Sequence, residues 1–178
     1  MPELELSQWI FLVAVVLYTL AAAISDFRFR KIPNALTVPM LVAGLTWQGA
    51  FFGFAGLKSG LLAFAVGFGI LFVLWMVGSA GGGDVKLLGG LSVWLGTSLT
   101  LKVLLSSLLF VVIGTAAVIA FSVLSKGFRG TRAQYVRGKN GATASETLED
   151  RSKRRVMAFA IPVALATWSV LVLFRNQW

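Results

Sequence analysis

The chain of 178 residues contains no cysteine and no histidine. Disulfides, thiol catalysis, Ser–His–Asp chemistry and histidine-held metals are excluded, and neither metal nor cofactor is expected. Acidic residues are also scarce, seven against sixteen Lys and Arg. Glu3 and Glu5 stand at the N-terminus, and Glu146, Glu149 and Asp150 lie in a polar stretch. Only Asp26 and Asp84 interrupt the hydrophobic body. A carboxylate at mid-helix in a bilayer costs roughly 2.5–3.5 kcal/mol on insertion scales, so one kept there usually marks function. Acid–base work is left to carboxylates, lysines and tyrosines.

What the chain has in excess is apolar surface: 57% hydrophobic and 13% charged residues, with a mean hydropathy of +0.84. In water a single domain of this composition would leave too much apolar surface exposed, so lipid is its expected solvent. Residues 1–7 lack the positive charge of a signal peptide, and the first apolar run is expected to be a retained helix. Six apolar segments follow, at about 8–25, 35–54, 57–77, 85–100, 101–124 and 156–174. Most approach the roughly 20 residues that cross a bilayer; the fourth is short, about 24 Å at the helical rise. The fold class is all-α: one polytopic membrane domain over 1–178 with about six transmembrane helices. A polar, basic cytoplasmic loop at 125–155 is expected to be a flexible connector. Gly60, Gly67 and Gly69 are read as close helix packing, and Trp9, Trp94, Trp168 and Trp178 as interfacial anchors.

The net charge of +9 does not imply nucleic acid, because the basic residues gather between apolar segments. Arg28, Arg30 and Lys31 follow the first segment, and nine more lie between Lys126 and Arg155. With six crossings these share a side with Lys86, leaving Lys58, Lys102 and Arg175 opposite. The positive-inside rule then puts both termini in the periplasm and both aspartates near the cytoplasmic face.

Asp84 closes the run Gly78-Ser79-Ala80-Gly81-Gly82-Gly83-Asp84. Consecutive glycines disfavour a helix interior and let another backbone come close, either a helix or an extended substrate. The plainer alternative is a glycine-rich turn with a capping aspartate. Asp26 ends the first segment, before Ile32-Pro33-Asn34, and by itself reads as an ordinary interfacial acid. Two acids at one membrane depth nevertheless meet the requirement of aspartic protease chemistry. Paired carboxylates share a proton; the ionised one activates water while the protonated one donates to the scissile carbonyl.

At these positions the chain resembles the type IV prepilin peptidases, the bacterial Gly-x-Gly-Asp intramembrane aspartic proteases. The resemblance rests on Asp26 with Ile32-Pro33-Asn34, on Gly81-Gly82-Gly83-Asp84-Val85-Lys86-Leu87-Leu88 leading to Trp94-Leu95-Gly96, and on Ala160-Ile161-Pro162. It implies Asp26 and Asp84 as the catalytic pair, with Gly81, Gly83, Lys86, Pro33 and Asn34 in substrate binding or structural support. It also implies cleavage of the basic leaders of prepilins and pseudopilins after a glycine. Larger members carry a cysteine-paired region and methylate the new N-terminus; without cysteine, peptidase activity alone is expected. The short chain is most similar to the peptidases of tight-adherence (Flp-type) pilus systems, often called TadV or CpaA. The expected partners are leader peptides and the bilayer, not nucleic acid. A small proton-coupled transporter and a non-catalytic subunit of a secretion assembly are the alternatives.

Overall fold

A computed structural model describes residues 5–140 and 159–174, without the side chains of 119, 122, 123 and 125–140. Four helices account for nearly all of them: α1 (Leu6–Phe29), α2 (Asn34–Met76), α3 (Gly82–Asn140) and α4 (Ala160–Leu173). The protein is all-α. Among the described residues α1, α2 and the 82–118 part of α3 are long and apolar enough to cross a membrane.

α1 opens with a capping box between Glu5 and Gln8. It closes at Arg30, a non-glycine residue in the left-handed region (φ 51°), whose N–H donates to the Asp26 carbonyl. Pro33 then stands as the extended N-cap of α2 (φ −72°). Its carbonyl accepts the N–H groups of Leu36 and Thr37.

The 43 residues of α2 would extend about 65 Å if straight, twice the hydrocarbon thickness. Instead the chain turns at Gly53, at φ 61° and ψ −150°. A Cβ added to Gly60 would meet the Gln48 side chain at 3.3 Å, whereas twelve residues of straight helix would part them by about 18 Å. α3 does the same at Gly96, φ 73°. Gly67 faces both Ser92 and Thr100, at 2.7 and 3.1 Å from its added Cβ, so residues before and after the turn return to one neighbour. Glycine alone adopts such backbone without steric cost. The two long helices therefore supply four apolar arms, and α1 and α4 complete six.

The arm 82–95 is the centre of the bundle. From Asp84 to Leu95 every residue is buried except Lys86, which explains why a segment of this length suffices: it is covered by protein rather than lipid. Its neighbours are tied to it by polar contacts that satisfy backbone groups within an apolar medium. Tyr18 Oη donates to the Leu87 carbonyl (3.1 Å) and Gln48 Nε2 to the Val93 carbonyl (2.9 Å). Trp94 Nε1 donates to the Met40 carbonyl (2.9 Å). Val93 lies within four residues of the break at Gly96, where a helical carbonyl loses its usual donor; the Gln48 amide replaces it.

Four sequence expectations change. The fourth segment ends at Gly96, not near Thr100, because the positive φ and not the hydropathy sets the turn. Helix α3 continues to Asn140, so residues 125–140 are helical where a flexible connector was expected; 141–155 lie outside the described residues. Trp94 is a core residue, 5% exposed, because its indole reaches across to α2. Gly69 meets no atom within 4 Å of an added Cβ, so of these three only Gly60 and Gly67 serve close packing. Trp9 is exposed in the first turn of α1. Trp168 is half-buried and donates to Thr19 Oγ1. Trp178 lies outside the described residues.

Candidate functional site

The bundle has two distinct ends. One holds the turns at Gly53 and Gly96, with Lys102 over the Phe174 ring at 4.0 Å. The other gathers the end of α1, the start of α2, the 78–84 turn and the start of α4. Both buried carboxylates lie at this second end: Asp26 is 7% and Asp84 5% exposed, and no other acidic residue is buried among the described residues.

Asp84 is held by its own turn. The preceding arm ends in a Schellman-type closure: Gly78 N–H donates to the Trp75 carbonyl and Ser79 N–H to the Leu74 carbonyl. Gly81 then caps α3, its carbonyl accepting from Asp84 and Val85. In return Asp84 Oδ2 accepts the Gly81 N–H at 3.0 Å, half of a capping box. The capping reading of this aspartate is thus geometrically satisfied. The carboxylate thus sits in the first turn of α3.

Asp26 is held from a distance. Its Oδ2 accepts the N–H of Ala160, 134 positions on, at 3.0 Å. Ala160 is the first residue of α4, so this carboxylate also lies at a helix N-terminus. Pro162, in the first turn of α4, needs no N–H partner there. Its proline thus fits the helix start that Asp26 caps.

The supporting residues divide. Ile32 packs against Gly83, its Cβ 3.6 Å from an added Cβ. Lys86 Nζ donates to Asn34 Oδ1 at 2.8 Å. The Ile32-Pro33-Asn34 turn is thereby docked on the first turn of α3. Gly82 and Gly83 meet only ordinary contacts, 3.5 Å or longer, so helix packing does not demand glycine at either position. The sequence reading missed Ala160 as a partner of Asp26, because a backbone donor has no side-chain signature. It also missed Tyr18, whose hydroxyl binds the central arm three residues past Asp84. A tyrosine inside an apolar run is its only signal.

Chemically, this end presents two buried carboxylates, each accepting a backbone N–H through one oxygen, where the end of α1 and the starts of α2, α3 and α4 gather. Residues 10–123, more than half of the chain and including both aspartates, match the family model of the type IV leader peptidase family. No curated protein and no solved structure matches. With its apolar helices and this match, the chain is a membrane peptidase that belongs to the type IV leader peptidase family.

Proposed function

We propose that the protein is an aspartic endopeptidase that removes the basic leader of Flp-type prepilins and pseudopilins at the cytoplasmic face of the bacterial inner membrane. The observation that carries this reading is the burial of Asp26 and Asp84 at one end of the bundle. One carboxylate, ionised, takes a proton from water as the water attacks the scissile carbonyl. The other, protonated, donates to the carbonyl oxygen, and the roles reverse as the amine departs. An extended stretch of substrate is required, since a helical peptide bond is shielded by its own hydrogen bonds. That helix packing does not demand glycine at Gly82 or Gly83 supports a backbone role for them toward such a strand.

The charge distribution supports six crossings with both termini periplasmic. The test is processing of a co-expressed Flp-type prepilin by wild type, Asp26→Asn and Asp84→Asn at matched membrane levels. Cleavage by wild type alone is expected; cleavage surviving in both variants sinks the mechanism.

A further inference from the structure

The buried stripe of α1 runs through Tyr18, Ala22 and Asp26. Tyr18 is buried, and its Oη donates to the Leu87 carbonyl at 3.1 Å. A phenylalanine would fill the same apolar volume with no hydroxyl to satisfy, so packing does not require the polar atom. The approach depends on Gly90 of α3. A Cβ there would stand 2.8 Å from Tyr18 Oη and 3.3 Å from the Thr37 carbonyl. Both α1 and α2 thus close on α3 at this glycine.

This bond joins the two helices that carry the carboxylates. Asp26 stands eight residues beyond Tyr18, and Asp84 three residues before Leu87, about 12 Å and 4.5 Å at the helical rise. α1 ends and α3 begins at the same end of the bundle, so both intervals lead from the bond to the site. Side chains lean toward the N-terminus of their own helix. Asp26 therefore leans back into the bundle and Asp84 out toward its end, each toward the level of the other. A slip of α1 by one residue would move Asp26 about 1.5 Å along the axis and about 100° around it. Apolar side chains alone resist such a slip poorly, whereas one buried polar contact fixes register.

We propose that Tyr18 is a positioning residue for the peptidase: its bond to Leu87 sets the register of α1 against α3, and with it the spacing of the Asp26 and Asp84 carboxylates. This role rests on those two groups being the catalytic pair, as proposed above. Tyr18 acts through the helices, on the geometry of two acids that must flank one water and one carbonyl; misplacement by 1 Å at a reacting centre can cost about 10²-fold in rate.

The test measures kcat and KM of the full-length protein in detergent micelles with an Flp-type prepilin. It also measures the Kd of a leader peptide whose scissile amide is replaced by a secondary alcohol, a mimic of the tetrahedral intermediate that both carboxylates would bind. Tyr18→Phe is expected to lower kcat about tenfold and to weaken the alcohol about tenfold, with KM changed less than about twofold. The acceptor is a backbone carbonyl, so its side is reached through Gly90→Ala, which is expected to act the same way. Loss of folded protein alone would reduce the number of binding sites and leave the Kd unchanged. A wild-type kcat in Tyr18→Phe overturns the proposal, and so does a lower kcat with a wild-type Kd for the alcohol. Asp26→Asn and Asp84→Asn separate the two levels. If both are inactive, such results strike Tyr18 alone; if both cleave, the catalytic pair itself fails and the role of Tyr18 with it.

Discussion

Asp26, three residues before the end of α1, accepts the backbone N–H of Ala160, the first residue of α4, at 3.0 Å. A single carboxylate therefore joins the first helix to the last and caps the latter. The proposed chemistry and the closure of the bundle draw on the same group, and substitutions separate them. Asp26→Asn keeps an oxygen able to accept from Ala160 and is expected to fold, with cleavage reduced by at least about 10²-fold, the lower range for a lost acid–base group. Asp26→Ala also removes the cap and is expected to cost a further ~0.5–2 kcal/mol of stability. Prepilin cleavage and thermal unfolding of the purified variants read the two effects.

Gly83 tests whether glycine at the site serves substrate or packing. An added Cβ meets only the Ile32 side chain, at 3.6 Å. Gly83→Ala is expected to leave the unfolding temperature nearly unchanged while slowing cleavage about tenfold or more, an effect of ~1.4 kcal/mol on the barrier. A variant with wild-type turnover would remove the substrate strand from this position.

The two chain reversals differ from ordinary helical glycines. Gly53→Ala and Gly96→Ala meet no neighbouring atom but inherit φ of 61° and 73°, and each is expected to cost roughly 1–2 kcal/mol. Gly69→Ala, equally unobstructed and without positive φ, is expected to stabilise by up to ~1 kcal/mol. Unfolding midpoints of the three variants in one detergent check the contrast.

The exposed hydrogen bond from Lys86 to Asn34 docks the Pro33 turn on α3. Lys86→Ala and Asn34→Ala are each expected to lower kcat/KM about fivefold, with the double variant no worse than the more affected single. The non-additivity corresponds to ~1 kcal/mol of coupling. A double variant showing the product of the single effects would separate the two roles.

Gln48→Leu replaces the amide that reaches the Val93 carbonyl. The loss leaves a buried acceptor without its donor and is expected to cost about 1–3 kcal/mol. Thermal unfolding reads it, and Gln48→Glu offers no amide rescue.

Hydropathy was enough to find the six apolar arms, since burial in lipid or protein demands the same side chains. It could not place the turns within α3, because Gly96 and Gly90 look alike in sequence; only one has positive φ, while the other lets Tyr18 and Thr37 approach. Both buried aspartates stood out as the sole acids of the hydrophobic body. Their ties did not: Gly81 and Ala160 contribute backbone N–H groups, which every residue but proline possesses. Trp94 was misread for a related reason, since an indole with one polar atom suits an interface and a core with a carbonyl in reach equally well.

The arm that begins at Asp84 has no lipid-facing side, and this frees it from hydrophobic matching. When a bilayer thickens or thins, outer helices respond by tilting or by drawing lipid to their length. A sheathed helix has no such length to match; its position is set by Tyr18, Gln48 and the Pro33 turn. The proposed catalytic carboxylate is therefore expected to hold its depth relative to Ala160 in thick and thin membranes alike, as an axle keeps its place while the spokes around it flex.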